Sequence, residues 1–210
     1  MQKFNDKQIK LFKSLNTPAK IQDFINTIPI NFESGGDTCM SPLSVMTHKK
    51  AHCIEGAMLC AYILSLHGHK PLIMDLKVSV RNNEDFDHTV ALFKIDGYWG
   101  AISKTNHAVL RYREPIYKTL RELALSYFHE YFTNDGRKNL RTYSIPLNLN
   151  KFKKRNWIYD EKDLWYIPIA LDESKHYPLI NKKQIKNLRK ADKIEIGSGK
   201  LTEYKKNGKK

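Results

Sequence analysis

The chain has 210 residues, of which 41% are hydrophobic and 11% aromatic, enough for one domain with a sizeable core. Three cysteines and no apolar run of membrane-span or signal-peptide length argue against a disulfide scaffold and a membrane protein, and predict a cytoplasmic protein. The formal net charge is +14, but residues 181–210 hold 11 Lys and Arg against 3 Asp and Glu, which leaves +6 for residues 1–180. We therefore predict a single domain over residues 1–180 and a basic, partly mobile tail over residues 181–210.

The N-terminal part of the chain is predicted to be helical. Apolar residues in helical register favour a helix over residues 5–15, and a second helix begins at Pro18 and ends before Pro29. The strongest helical pattern covers residues 51–66, where one face carries mostly small residues that let a helix approach a sheet closely. The residues of this face are Cys53, Gly56, Ala57, Cys60, Ala61 and Leu64.

The sequence that follows predicts an antiparallel sheet. After a strand over residues 72–78, two further strands flank Asp96-Gly97, the dipeptide favoured in a type I′ hairpin turn. A two-residue turn fixes the register of these strands and makes Ser103 a diagonal neighbour of His88.

The chain beyond the hairpin is less regular. Pro115 is predicted to open an amphipathic helix that runs to about Phe132. A further strand is predicted over residues 140–147, and a basic cluster covers residues 151–155.

Cys53 and His88 are the residues on which catalytic chemistry is most plausible. A thiol within one turn of a helix N-terminus lies near unpaired amide groups and the positive end of the helix dipole, which favour a thiolate. An imidazole on the first residue of a strand lies at a sheet edge, which suits a general base. The pattern alone leaves open the alternative that Cys53 is a small buried core residue, as free cysteines often are.

Metal binding is the other chemistry that cysteine and histidine support. Cys53 and Cys60 are separated by roughly 10 Å along one helix, too far to share a zinc ion. The sequence contains no calcium-loop pattern either. We therefore expect neither a metal nor a cofactor.

Four short segments resemble the transglutaminase-like superfamily of papain-like thiol enzymes, and in particular a bacterial group within it. They are Ala-His-Cys-Ile-Glu-Gly-Ala, Asp-His-Thr-Val-Ala, Trp-Gly-Ala-Ile-Ser-Lys-Thr-Asn-His and Leu-Arg-Tyr-Arg-Glu-Pro, within a similarity that spans roughly residues 20–165. In that family a cysteine opens a helix, a histidine opens a later strand, and an Asp four residues after a tryptophan orients the imidazole. Cys53, His88 and Trp99 match three of these positions, whereas Ser103 stands where the family has the Asp.

The resemblance implies an α+β, papain-like fold in which N-terminal helices, including the helix of the nucleophile, pack on an antiparallel β-sheet. It also implies acyl transfer from a peptide or amide substrate through a thioester. His88 would take the proton of Cys53 and later protonate the leaving amine. The acyl acceptor, water or an amine, stays open, and hydrolysis is the default because water is always present.

Two details of the implied site also stay open. Either Ser103 or Asn106 would orient the imidazole. The oxyanion would be met by the backbone N–H of Cys53 and by a second donor, for which Asn31 and His52 are the nearest candidates along the chain.

A second hypothesis keeps the fold and drops the chemistry. The protein would then be a catalytically inactive scaffold that contacts an acidic partner, such as nucleic acid, through its basic tail. No zinc-finger, RNA-binding or helix-turn-helix pattern accompanies the basic residues, so nucleic acid is the less favoured partner.

Overall fold

A computed structural model describes residues 3–79 and 87–205, and its helices and seven-stranded antiparallel sheet make an α+β fold. The α-helices of the described residues are α1 (Asp6–Ser14), α2 (Pro18–Thr27), α3 (Pro42–His48), α4 (Cys53–Leu66), α5 (Leu120–Leu125), α6 (Tyr166–Asp172), α7 (Lys182–Lys186) and α8 (Lys193–Gly199). The strands are β1 (Leu72–Val78), β2 (His88–Ile95), β3 (Tyr98–Ile102), β4 (Arg113–Tyr117), β5 (Leu140–Ser144), β6 (Leu147–Asn148) and β7 (His176–Pro178). In these two stretches, no helix is both long enough and apolar enough to cross a membrane.

The sheet has the strand order β4-β3-β2-β1-β5-β7, and the short strand β6 also pairs with β1. In the central hairpin, Ile95 lies opposite Tyr98 and Leu92 lies opposite Ala101, so the predicted register is confirmed. Asp96 and Gly97 both have positive φ angles, 49° and 86°, as this type of two-residue turn requires.

Apolar residues cover both faces of the sheet. On one face, Ile73 and Phe93 belong to the core cluster formed with α4 and the other N-terminal helices. On the opposite face, Met74 and Leu92 belong to a second cluster formed with α5. The alternation of side chains along each strand explains how the same strands serve two apolar layers.

Helix α4 lies at the centre of the first layer. Every residue from Ile54 to Leu64 is buried, because α1, α2 and α3 contact the helix on one side and the sheet contacts it on the other. The helix begins with a capping box, in which His52 is the N-cap and Glu55 is the third helical residue. Gly56 lies directly against Lys104, in the segment that follows β3.

Two predicted elements differ in the structure. The helix expected from Pro115 is instead strand β4, at the edge of the sheet, where a residue without an N–H is tolerated. The helix α5 begins only after Thr119, whose hydroxyl accepts a hydrogen bond from the Glu122 N–H. The strand expected over residues 140–147 is divided into β5 and β6, because Ile145-Pro146 interrupts it.

The C-terminal segment also differs from the tail that composition predicts. Residues 181–205 form α7 and α8 and pack against the rest of the chain. Ala191 and Tyr204 are buried there, and the backbone of Tyr204 pairs with the side chain of Asn106. The lysines of this segment stay at the surface while Ala191 and Tyr204 pack inward. Composition alone does not reveal this arrangement, because it depends on the spacing of the residues. Residues 206–210 lie outside the described part.

Gly56 provides a test of the helix-to-sheet packing, because a Cβ at this position would lie 2.3 Å from the Cβ of Lys104. We expect Gly56→Ala to lower the free energy of unfolding by about 1–3 kcal/mol through overpacking, despite the better helix propensity of alanine. Gly197→Ala in α8 is the matched control, since no heavy atom lies within 4 Å of the added Cβ. Urea denaturation of both variants measures the difference, and equal stabilities would contradict the close contact.

Candidate active site

A cavity of about 420 Å³ lies where the N-terminus of α4 meets the first residue of β2. His52 and Cys53 line it from the helix, and Asp87 and His88 line it from the strand. Ile30 and three further segments complete its walls. The segments are residues 104–107 with Val109 and Leu110 after β3, residues 130–134, and the end of α8 with Ile196, Gly199 and Lys200.

Cys53 is the first residue of α4 and is partly exposed, whereas Cys39 and Cys60 are buried. Its Sγ lies 4.0 Å from Nδ1 of His52. Burial alone would raise the pKa of this thiol, but hydrogen bonds with His52 and His88 and the charges of both rings lower it to about 5. The sulfur is therefore a thiolate at neutral pH, the form that acts as a nucleophile.

His88 is held in place by Ser103. Its Nε2 shares a 2.6 Å hydrogen bond with Oγ of Ser103, and both residues are buried. This bond leaves Nδ1 as the ring nitrogen that can exchange a proton with the sulfur or a substrate. The backbone of Ser103 is fixed in turn by Gln22 of α2, which accepts from its N–H at 2.9 Å and donates to its carbonyl at 3.0 Å.

His52 directly precedes Cys53 in the chain, and acceptors surround its ring. Its Nε2 lies 2.9 Å from the carbonyl oxygen of Thr38, so this nitrogen must carry a proton. Carboxylate oxygens of Glu33 and Glu55 lie 3.5 Å and 3.4 Å from the same nitrogen. Burial alone would lower the pKa of His52, but hydrogen bonds with Cys53 and Glu55 and their charges raise it to about 11. These contacts favour the protonated form of the ring.

Glu55 is a fully buried carboxylate beneath His52. It accepts hydrogen bonds from the backbone N–H groups of Met40 and His52, both at 2.9 Å, and from the Thr38 hydroxyl at 2.7 Å. Burial alone would raise the pKa of Glu55, but the bond to His52, the charge of that ring and the backbone N–H donors lower it to about 2. These donors allow a charged group to be buried without an uncompensated desolvation cost.

Two residues predicted for the oxyanion or substrate lie away from the sulfur. The side-chain amide of Asn31 donates to Thr38 at 2.8 Å and to Glu55 at 3.4 Å. Trp99 packs against the second core layer, with Nζ of Lys94 5.0 Å from its ring centre. Neither Asn31 nor Trp99 is among the described residues that line the cavity. Both support the walls rather than contact a substrate.

The structure distinguishes between the two residues proposed to orient the imidazole. Ser103 contacts His88 directly, as the hairpin register predicted. Asn106 lines the cavity, but its amide donates to the Tyr204 carbonyl and its oxygen accepts from the Tyr204 N–H, both at 2.8 Å. Asn106 therefore holds the C-terminal segment in place.

The sequence did not identify three other residues of the site: Gln22, Glu55 and Lys104. Lys104 is buried beside the cavity, and its Nζ donates to the carbonyls of Ile25 and Ile28 at the end of α2. Burial lowers its pKa to about 8. Only Glu55 had a local signal, the capping-box spacing after His52, since the contacts of Gln22 and Lys104 join positions far apart in the chain.

A cluster of carboxylates outside the nucleophile's immediate surroundings has the composition of a cation site. Oxygens of Asp75, Asp87 and Asp172 lie within 4.8 Å of one another. Lys77 lies 2.7 Å from Asp172 and 4.0 Å from Asp87, and His176 lies 3.2 Å from Asp75. Each carboxylate of the cluster therefore already has a basic side chain of the protein beside it.

A scan against models of known protein families finds no match, and a search among curated proteins finds no significant relative. The resemblance to transglutaminase-like enzymes therefore stays a prediction. The geometry of the cavity is the evidence on which a function can be argued.

The pKa of Cys53 predicts selective alkylation. The rate of reaction with iodoacetamide should rise through a pH of about 5 and stay high above it, because the thiolate is the reactive form. Cys39 should not react below pH 9, since burial and the negative charge of Glu55 raise its pKa to about 12. Peptide mapping after brief labelling at pH 6 measures the selectivity, with Cys53→Ser as control. Equal labelling of the three cysteines would contradict the activated thiol.

The hydrogen bonds between the Asn106 side chain and the Tyr204 backbone should anchor the C-terminal segment. Asn106→Ala leaves the backbone N–H and carbonyl of Tyr204 without their partners, at a cost of about 1–3 kcal/mol. We expect faster trypsin cleavage after Lys200, measured by time-resolved mass spectrometry. Asn187→Ala, at an exposed position after α7, is the control. Unchanged cleavage in Asn106→Ala would show that the segment is held by other contacts.

Proposed function

We propose that the protein is a cysteine-dependent acyl-transfer enzyme of the transglutaminase-like, papain-like class, acting on a peptide or amide substrate through a thioester. One observation carries this proposal: a partly exposed thiol at a helix N-terminus lines the same cavity as two imidazoles, those of His52 and His88. A buried core cysteine needs none of these features.

The first half of the reaction forms the thioester. The Cys53 sulfur attacks the carbonyl carbon, a C–S bond forms, and the electron pair of the carbonyl moves to its oxygen. The N–H of Cys53 is one of the first amides of α4, which have no acceptor within the helix, and it is placed to meet the developing oxyanion. The positive end of the helix dipole favours the same charge.

The second half depends on His88. As the tetrahedral intermediate collapses, the C–N bond breaks and protonated His88 gives its proton to the leaving amine. The neutral ring then takes a proton from water, whose oxygen attacks the thioester, and the C–S bond breaks to restore the thiolate. An amine in place of water would give transglutaminase-type transfer. Ser103 keeps the ring in one orientation through both steps.

The cavity walls favour a substrate with an apolar group beside the acyl carbon. Val109, Leu110, Phe132 and Ile196 give the cavity wall an apolar part. Its volume of about 420 Å³ falls within the range of small-molecule and side-chain pockets. An amide with a large apolar acyl side chain therefore fits better than a strongly charged one.

Acyl-enzyme trapping tests the proposal. An activated ester with an apolar acyl group, such as 4-nitrophenyl hexanoate, should acylate Cys53, which intact-mass and peptide mass spectrometry measure. Cys53→Ser should abolish the adduct on that peptide. His88→Ala should slow turnover of an amide substrate by about 10²–10⁴-fold, as loss of a general acid and base does.

Cys60→Ala is the matched control, since Cys60 is buried and lies two turns along the same helix. It should leave acylation of Cys53 unchanged. Ester turnover that persists in Cys53→Ser, without any adduct on the wild-type thiol, would overturn the proposed function.

A further inference from the structure

Two imidazoles flank the Cys53 sulfur, and their surroundings differ in charge. His88 is oriented by a neutral serine hydroxyl. His52 is oriented by a backbone carbonyl and lies within 3.5 Å of the carboxylates of Glu33 and Glu55. Thus the site has negative charge next to an imidazole, but that imidazole is His52 and not His88, which Ser103 orients.

We propose that His52 is a constantly protonated ion partner of the Cys53 sulfur, held by Glu55 and Glu33, and that His88 alone transfers protons. This inference rests on the proposed function and assigns a separate task to each ring. His52 touches the reacting sulfur, so it is a catalytic residue, whereas Glu55 and Glu33 act through it as positioning residues.

The geometry of His52 supports the ion-pair role. Its Nε2–H donates to the Thr38 carbonyl, which fixes the ring so that Nδ1 points to the sulfur at 4.0 Å. The charged and titratable groups that face the ring are Glu33 from the loop before α3 and Cys53 and Glu55 from α4. All three are acids, so every close ionisable neighbour favours the protonated ring.

The proton balance agrees with this division of tasks. A base must lose its proton at working pH, whereas a ring whose neighbours are two carboxylates and a thiolate keeps it. His52 therefore stays charged while the sulfur passes from thiolate to thioester and back. Each turnover moves one proton from His88 to the leaving amine and returns one from water to His88, so no net proton is lost or gained by the enzyme.

The experiment measures the pH dependence of Cys53 alkylation by iodoacetamide in the full chain, which requires no substrate. His52→Asn keeps a residue favoured at the helix N-cap but removes the charge. The inflection should move upward by about 1–3 pH units, as expected on losing an opposite charge a few ångströms away. Glu33→Gln should leave it within about half a pH unit of the wild-type value, because Glu55 still holds the protonated ring.

His88→Ala is the comparison variant. It should abolish most amide turnover while moving the inflection less than His52→Asn does. An inflection that is unchanged in His52→Asn would overturn the inference. An inflection that follows His88→Ala more strongly than His52→Asn would overturn it as well.

Two further measurements keep the outcomes separate. Thermal melting by circular dichroism shows whether His52→Asn is folded. If it is not, the ring ¹⁵N shifts of His52 in the wild-type protein decide the result: a ring that carries both protons up to about pH 8 supports the ion pair, and a neutral ring at about pH 7 overturns it. If wild-type Cys53 forms no acyl adduct but His52→Asn still raises the inflection, the ion pair stands and the proposed function fails.

Discussion

The contact between Gly56 and Lys104 fixes the geometry on which the site depends. Because position 56 has no side chain, the first turn of α4 lies directly against the segment that follows β3. Cys53 lies one turn before Gly56, and Ser103 directly precedes Lys104. One close approach therefore sets both the position of the nucleophile and that of the hydroxyl that holds His88. Lys104 can be buried in this contact because carbonyl oxygens at the end of α2 accept from its ammonium group.

The electrostatics of the site are linked to the start of the same helix. A carboxylate near the third position of a helix is favoured by the helix dipole and completes the capping box. Glu55 does this and also lies against His52, so a group that stabilises the helix start supplies negative charge beside this ring. Ser103, at 0% exposure, contributes no charge. A second buried carboxylate at that position would need several donors of its own to offset its desolvation.

The sequence predicts well those structural features that depend only on residues close together in the chain. The Asp96-Gly97 turn fixes the hairpin register, and this register places Ser103 within reach of His88. Pro115 illustrates a limit, because proline is tolerated both at a helix start and on an edge strand, and only the tertiary position of β4 decides between them. Asn106 illustrates another, since its partner Tyr204 is 98 residues away and no periodicity connects the two.

The C-terminal segment shows how a feature that composition assigns to solvent can shape a site. Ile196 and Gly199 line the cavity, and Gly199 lies so close to the ring of Phe132 that a Cβ would be 2.9 Å from it. Much of the segment stays exposed to solvent, and the exposed fraction of Ile194 is 84%. The segment is held largely by polar contacts, such as the 3.0 Å hydrogen bond that the Tyr204 hydroxyl donates to the Asn26 carbonyl. Because such contacts stabilise less than a buried apolar face does, this wall contributes more to the shape of the cavity than to the stability of the fold.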